Sequence, residues 1–280
     1  MLVNMNDVLL PAKKNRYAVG LFNSVNLELA RGIIEAAEET RSPLIFGTAE
    51  ILTPFGPVEL ITDFLKDMAE KASVPVVLHL DHGLQKEMCL RALKLGFSSI
   101  MYDCSKESYE ENVKKVAEMA SIAHAFGATI EGELGHVGNN EGEDVLDDPR
   151  AFYTDPDTAK DFVERTGVDA LAIAVGTAHG GYKLPPKIDF ERIEEIAAAV
   201  DVPLVLHGGS GLTDEDFIHS IRCGISKVNI FTDLNTAAAD AAYNAYHPGI
   251  GLTDLVLPEI EAVKKATMDK MLLFGCTGRA

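Results

Sequence analysis

The sequence lacks the features that mark exported, membrane-bound and disulfide-rich proteins. Its first residues show no basic segment followed by an apolar run and a small-residue cleavage site, the pattern of a secretory signal. No uncharged apolar stretch reaches the roughly 20 residues that a helix needs to cross a bilayer. The four cysteines are widely spaced, and no two of them form a Cys-x-x-Cys pair. We therefore expect a soluble, cytoplasmic protein with buried, reduced thiols.

Basic residues are scarce relative to acidic ones. The chain has 25 Lys and Arg against 43 Asp and Glu, which gives a formal net charge of −18. Binding to nucleic acid or to an anionic membrane needs a basic face, so we expect neither as a partner. An anionic substrate would have to be attracted by local positive features, such as a metal ion or the amino ends of helices.

The order of apolar segments predicts an α/β protein with the (β/α)8 TIM-barrel fold. Eight short apolar runs alternate with segments of helical periodicity along the 280 residues. One barrel needs roughly 250 residues, so we expect a single catalytic domain over residues 1–280. The alternative, an open doubly wound sheet, often has a Gly-x-Gly-x-x-Gly turn after its first strand, and this sequence has none there. The predicted strands are Tyr17–Phe22, Leu44–Thr48, Val76–Leu80, Ser98–Tyr102, Thr129–Gly132, Ala170–Val175, Leu204–His207 and Lys227–Ile230.

Helix signals between these strands agree with that order. Gly96, Gly127 and Gly167 lie just past the carboxyl ends of predicted helices, and Asp157 and Thr213 could cap amino ends. The longest irregular stretch, roughly 134–155, is of a length that is usually functional or mobile. The predicted helices are Leu27–Glu39, Glu59–Ala72, Glu87–Leu95, Tyr109–Phe126, Thr158–Arg165 and Phe190–Val200.

Polar residues follow most of the predicted strands, at the end of a barrel where active sites are built. Three of the eight histidines, His82, His179 and His207, follow strands three, six and seven. Three imidazoles with an open fourth position form a common catalytic zinc site, and these strands can converge on the barrel axis. Each histidine alone could equally be structural. Together they predict a metal site.

Two further loops predict a phosphate site. The loops after strands seven and eight are the recurrent phosphate site of such barrels, where backbone N–H groups and a helix amino end meet the anion. A plain tight turn is the alternative reading of the glycine-rich run that follows strand seven. We expect substrate contacts from Asn23, Gly180, Gly208, Gly209, Ser210, Asn229, Ile230, Phe231 and Thr232.

Carboxylates at the same rim have two readings each. Asp81 lies beside a predicted metal ligand and could act as a base, or could only orient the ligand histidine. Asp103 and Glu133 could hold a second or alternative metal position, or could only form hydrogen bonds at the rim. His79 is predicted to pack behind Asp81.

Several ordered motifs resemble the class II, metal-dependent ketose-bisphosphate aldolases, which include the fructose- and tagatose-bisphosphate enzymes. The resemblance covers nearly the whole chain, and its strongest motifs are LHLDHG at 78–83, AVGTAHG at 174–180 and LHGGSG at 206–211. It implies one zinc ion per subunit on His82, His179 and His207, with Asp81 as the catalytic acid/base. It also implies a dihydroxyacetone-phosphate site at the glycine-rich loops, with Lys183 near that phosphate.

Other implications of the resemblance concern the loop, the ions and the assembly. Glu141 matches the family's loop glutamate, which handles the proton on the nucleophilic carbon. A monovalent cation (Na⁺ or K⁺) near the phosphate and a homodimer or homotetramer are further implications. The runs GTAEILTPF at 47–55 and GNNEG at 138–142 depart from the family pattern, and both border the aldehyde half of the site. The aldehyde therefore stays open, including whether it carries a phosphate.

The expected reaction is retro-aldol cleavage of a phosphorylated ketose. Asp81 removes the C4 hydroxyl proton, zinc acts as a Lewis acid, and Glu141 protonates the remaining carbon to give dihydroxyacetone phosphate. A Schiff-base aldolase would need a lysine at the carboxyl end of a strand, whereas Lys227 is predicted to begin its strand and Lys183 lies in a loop. A non-catalytic sugar-phosphate-binding barrel is the other alternative.

Overall fold

Eight parallel strands close into a barrel in the computed structural model. The structure describes residues 1–135, 138–139, 153–179 and 186–280. For residues 138–139 and 178–179 it describes only the backbone. Three shorter strands are β1 (Leu2–Val3), β7 (Gly138–Asn139) and β9 (Ala178–His179). The barrel strands are β2 (Val19–Asn23), β3 (Leu44–Ala49), β4 (Val76–Gly83), β5 (Ser99–Tyr102), β6 (Thr129–Leu134), β8 (Ala170–Ile173), β10 (Leu204–Leu206) and β11 (Ile225–Ile230).

The order of these strands around the ring confirms the predicted (β/α)8 barrel. It runs β4-β3-β2-β11-β10-β8-β6-β5, and the pairing of β4 with β5 closes the ring. In this order β4 lies opposite β10, and β5 lies opposite β11. β4 extends to Gly83 rather than ending at Leu80, because Asp81 pairs with Ala49 of β3 and Gly83 with Tyr102 of β5.

The α-helices of the described ranges include four that the sequence analysis did not delimit. The first, α1, has a capping box in which Asn4 and Asp7 each accept a hydrogen bond from the other's backbone amide. The helices are α1 (Met5–Asn15), α2 (Leu27–Thr40), α3 (Val58–Lys71), α4 (Lys86–Leu95), α5 (Tyr109–Ala125), α6 (Pro156–Thr166), α7 (Phe190–Ala199), α8 (Asp214–Cys223), α9 (Thr232–Ala245) and α10 (Thr253–Leu273).

The amino end of the barrel is covered by α1. The Met5 amide donates to Thr129 at the start of β6, and the Asn6 side chain donates to Asp169 just before β8. Lys13 donates to the carbonyls of Val200 and Val202 ahead of β10. Because this end is covered, a ligand site has to open at the carboxyl end of the strands.

One predicted helix cap is wrong. Asp155, not Asp157, caps α6, and its side chain accepts the Thr158 amide at 2.9 Å. The helix begins at Pro156, whose fixed φ suits the first helical position, so Asp157 falls inside the first turn. Thr213 caps α8 as predicted, through a bond from the Asp216 amide.

Two general expectations can be compared with the structure. All four cysteines are buried and free. Within the described ranges, no helix combines the length and the apolar character that crossing a membrane requires.

The barrel interior contains a fully buried ion pair beneath the carboxyl end. Lys227 lies within β11 rather than at its start, and its Nζ is 2.8 Å from Oε2 of Glu131 on β6. The His207 Nε2 lies 2.8 Å from the other oxygen of the same carboxylate. Burial disfavours ionisation of Glu131, but Lys227 and His207 outweigh this effect and hold the pKa of Glu131 below its ordinary value.

We expect Lys227→Met to lower the free energy of unfolding by about 3–5 kcal/mol, because it leaves a buried carboxylate without its partner charge. Urea unfolding followed by circular dichroism measures the loss. Lys94→Met, on an exposed face of α4, is the matched control. Adding Glu131→Gln to Lys227→Met should recover part of the loss. Wild-type stability of the single variant would show that the pair contributes no ionic interaction.

Candidate active site

A cavity of about 300 Å³ opens at the carboxyl ends of the barrel strands. It brings together side chains that are far apart in the sequence, because the parallel strands all end at this face. The predicted site residues that line it are Asn23, Asp81, His82, Asp103, Glu133, Gly208, Gly209, Ser210, Asn229, Ile230, Phe231 and Thr232.

The Asp81 carboxylate, on β4, is held by two side-chain amides from β2 and β11. Asn23 Nδ2 donates to Asp81 Oδ2 at 2.7 Å, and Asn229 Nδ2 donates to Oδ1 at 2.9 Å. Burial disfavours the charged form, but His82 and Lys227 outweigh it, so the pKa of Asp81 lies well below its ordinary value. The carboxylate is therefore ionised at neutral pH and fixed in orientation. Each oxygen keeps a further lone pair with which it could accept a proton.

His82 adopts a left-handed backbone conformation that is rare outside glycine, with φ of 43°. The β4–β5 register shifts at this point, between Leu80 and Gly83. Such outliers cost roughly 1–3 kcal/mol each and cluster at functional sites. The consequence is that Nδ1 of His82 lies 2.8 Å from Oδ2 of Asp103 at the end of β5.

The surroundings of His82 favour a positive charge. Burial lowers the pKa of its imidazole, but Asp81, Asp103 and Glu133 outweigh burial and raise this pKa to about 9. Asp103 is itself oriented by Ser105, whose amide and hydroxyl donate to Oδ1 at 3.0 and 2.7 Å. The carboxylates that stabilise a proton here would also stabilise a divalent cation, and the two would compete.

The imidazoles of His82 and His207 converge above the buried ion pair. Their ring centroids are 4.6 Å apart with an interplanar angle of 78°. His207 Nδ1 also lies 3.4 Å from Glu133 Oε2. Possible ligand atoms lie within 4.8 Å of one another in two sets, Asp81 with His82 and His207, and His82 with Asp103 and Glu133. Imidazole and carboxylate donors at this spacing fit zinc.

Four predicted site residues lie wholly or partly outside the described residues. The backbone of His179 belongs to β9, where it pairs with Asn139 of β7, but its side chain is not described. Gly180, Lys183 and Glu141 fall in undescribed segments. The third histidine ligand and the loop glutamate therefore stay predictions.

The predicted phosphate loops lie side by side across the cavity. A side chain at Gly209 would place its Cβ 2.8 Å from Val228 Cγ1 and 3.0 Å from the Asn229 carbonyl oxygen, so the turn needs glycine to pack on β11. The Phe231 amide donates to Ser210 Oγ, which joins the two loops. α9 starts after Phe231 with no side-chain cap, and Phe231 and Thr232 line the cavity. Its first N–H groups are therefore not taken up by a capping side chain, as an anion site requires.

The sequence analysis missed two features of this region. Asn229 was assigned to the phosphate, yet its amide donates to Asp81. Three aliphatic side chains, Ile51, Leu52 and Leu84, line the cavity. Ile51 and Leu52 belong to the run 47–55 that was placed beside the aldehyde half, but the apolar character that they give the cavity was not predicted, and Leu84 was not recognised. The available signal was their position in loops after strands, where apolar residues are less usual than polar ones.

Comparison with known proteins decides the family. A family model described as fructose-bisphosphate aldolase class-II matches residues 3–279. The chain belongs to this family. The resemblance drawn from the motifs is thereby confirmed, and as a class II aldolase the protein is a carbon–carbon lyase.

Relatives of this aldolase match over their full length. A Bacillus subtilis (strain 168) protein named "Probable fructose-bisphosphate aldolase" is 39% identical, and the match covers 100% of this chain and 99% of that protein. The fructose-bisphosphate aldolase of Staphylococcus aureus (strain Mu50 / ATCC 700699) is 37% identical with the same coverage. The crystal structure of the YdjI aldolase from Escherichia coli K12 superposes with a TM-score of 0.91 at 37% identity, covering all of both chains.

We expect Asp103→Asn to weaken zinc binding by about 10–100-fold, because a carboxylate behind a ligand imidazole orients it and raises its basicity. Competition of the metal-free protein with a chromophoric chelator measures the affinity. Asp67→Asn, which alters a surface pair with Lys71, is the matched control. An unchanged affinity in Asp103→Asn would leave Asp103 with a hydrogen-bonding role at the rim only.

Proposed function

We propose that this aldolase cleaves a phosphorylated ketose to dihydroxyacetone phosphate and an aldehyde in a zinc-dependent retro-aldol reaction. The substrate would be fructose or tagatose 1,6-bisphosphate, or a related ketose 1-phosphate. The observation that carries the proposal is the ionised Asp81, fixed by Asn23 and Asn229, beside the converging imidazoles of His82 and His207. The names of the relatives support the substrate class.

The residues proposed to hold the zinc ion are His82, His179 and His207. Bound there, zinc would supply Lewis-acid stabilisation of the negative charge that develops when the carbon–carbon bond breaks. Asp103 and Glu133, which converge on His82, are the candidates for a second or alternative metal position, with hydrogen bonding at the rim as the other role. Glu131 orients His207 from below, so that Nδ1 is directed towards the cavity side, where Glu133 lies.

Asp81 is proposed to take the proton of the C4 hydroxyl. The electrons of that O–H bond form the aldehyde carbonyl, the C3–C4 bond breaks, and its electron pair remains on C3. Because two amides already fix both carboxylate oxygens, the proton acceptor needs no reorientation during the reaction. Glu141 is proposed to deliver the proton to C3 after its loop closes over the site.

The phosphate on C1 is proposed to bind between the loops after β10 and β11. Backbone amides of Gly208, Gly209 and the start of α9 would donate to it, with the Ser210 hydroxyl beside them. Gly180, Lys183 and a monovalent cation, Na⁺ or K⁺, complete the proposed phosphate site. In this arrangement C1 lies against α9, and C4 lies near Asp81.

We further propose a cytoplasmic homodimer or homotetramer in which residues 1–280 form one catalytic domain. The four free, buried thiols are compatible with a reducing compartment. Light scattering after size-exclusion chromatography would give the oligomeric state.

The proposed function is tested by cleavage of a ketose panel with coupled detection of dihydroxyacetone phosphate. The panel contains fructose and tagatose 1,6-bisphosphates and the matching ketose 1-phosphates. We expect product with the zinc enzyme, loss after treatment with EDTA, and recovery when zinc is added back. Activity that survives EDTA in a metal-free preparation would contradict the proposal and favour a Schiff base.

We expect Asp81→Asn to lower kcat by about 10²–10⁴-fold, because the amide cannot accept the hydroxyl proton. Zinc content, measured by atomic absorption, should stay at the wild-type level. Asp201→Asn, at an exposed position between α7 and β10, is the control. Full turnover in Asp81→Asn would remove Asp81 from the mechanism, and loss of zinc would make it a metal ligand instead.

A further inference from the structure

The two ends of the cavity differ in chemistry. The loops after β10 and β11 provide glycine turns and an uncapped helix, whereas the opposite end is formed by the loops after β3, β4 and β5. Asp81 and His82 lie at the end of β4, between these two regions. The opposite end is therefore the aldehyde half if the C1 phosphate binds as proposed.

The aldehyde half has an aliphatic wall. Ile51 and Leu52 follow β3, Leu84 follows β4, and all three line the cavity. Ile51 is 71% exposed and Leu84 is 52% exposed, so a ligand can reach them. Such a wall gains free energy by covering apolar groups and provides no hydrogen bond to an anion.

The helix that begins in this half already has a carboxylate at its amino end. Glu50 directly precedes the wall residue Ile51, and its Oε2 accepts the amides of Leu84 and Gln85 at 2.7 and 3.1 Å. Gln85 is the N-cap of α4, so the negative charge of Glu50 already occupies the helix amino end at which a phosphate would bind. Glu87, in the first turn of α4, adds a second negative charge.

Among the described residues, the aldehyde half has one cation that lines the cavity. Lys106 is the one lysine or arginine among the described residues that line the cavity. Lys86, at the first position of α4, pairs with Glu118 of α5. At the other end, the acidic residue in the first turn of α9, Asp233, is paired with Lys270 at 2.8 Å. Of the two helix amino ends, that of α9 is therefore the more favourable for a phosphate.

From this asymmetry we infer that the aldehyde released by this enzyme carries no phosphate, and that its substrate is a ketose 1-phosphate rather than a ketose 1,6-bisphosphate. The inference rests on the proposed function. The cleavage balances as ketose 1-phosphate giving dihydroxyacetone phosphate and an uncharged hydroxyaldehyde, whose chain packs on Ile51, Leu52 and Leu84.

The first experiment separates the inference from the proposed function. The zinc enzyme is incubated with dihydroxyacetone phosphate alone in D₂O, and loss of the C3 proton signal is followed by NMR. This exchange uses the phosphate half and needs no aldehyde. Absence of exchange would contradict the proposed function itself, whereas exchange supports it and permits the test of the aldehyde half.

The second experiment measures aldol addition of dihydroxyacetone phosphate to D-glyceraldehyde and to D-glyceraldehyde 3-phosphate. We expect kcat/KM for the uncharged aldehyde to be at least about tenfold higher, since the carboxylates of Glu50 and Glu87 repel a phosphate and the aliphatic wall gives it no hydrogen bond. An equal or higher value for the phosphorylated aldehyde, in an enzyme that performs the exchange, would overturn the inference.

Variants then identify the residues that set the preference between the two aldehydes. Ile51→Arg should shift the ratio of the two kcat/KM values towards the phosphorylated aldehyde by about tenfold or more, mainly through KM, because it introduces a cation into the wall. Leu257→Arg, at a 65% exposed position on α10, is the matched control and should leave the ratio unchanged. If Lys106→Gln removes a wild-type preference for the phosphorylated aldehyde, that lysine binds a second phosphate and the inference is wrong.

Discussion

The buried carboxylate of Glu131 contacts both the Lys227 ammonium inside the barrel and the His207 imidazole of the candidate site. Its two oxygens lie 2.8 Å from Lys227 Nζ and 2.8 Å from His207 Nε2. A charge in this position is costly unless it is paired, so the ammonium of Lys227 is a condition for placing the carboxylate there. Nε2 of His207 faces Glu131, and Nδ1 faces Glu133, which lines the cavity. The barrel interior therefore determines how a possible metal ligand is presented.

Three of the carboxylates of this region, Glu131, Asp103 and Asp81, differ in their partners, and the partners separate their roles. Glu131 contacts an ammonium group and an imidazole and is fully buried. Asp103 contacts His82 and Ser105, which suits a group that orients a metal ligand. Asp81 is the one of the three that accepts hydrogen bonds from two side-chain amides, and these amides are uncharged. The two amides fix the orientation of Asp81, and each of its oxygens keeps a further lone pair for a proton, which suits a proton acceptor.

Much of the architecture could be predicted from the sequence, because it depends on local patterns. The eight strands, most helix ends and the polar residues after each strand follow from periodicity, glycines and apolar runs. The Lys227–Glu131 pair could not be predicted, since it joins residues 96 positions apart through barrel closure. A lysine within an apolar run was the only local sign. The role of Asn229 was missed for the same reason, because its partner Asp81 lies on another strand.

The difference between the amino ends of α9 and α4 also explains how a chain of net charge −18 could bind an anionic substrate. The overall field repels such a ligand, so attraction has to be local and has to act at one end of the cavity only. At α9 the helix dipole is left available and the nearby Asp233 is neutralised by Lys270. At α4 the protein places its own carboxylate, Glu50, on the amides that precede the helix. Because the two ends are unequal, the proposed ketose 1-phosphate would bind in one direction only, with its C4 towards Asp81.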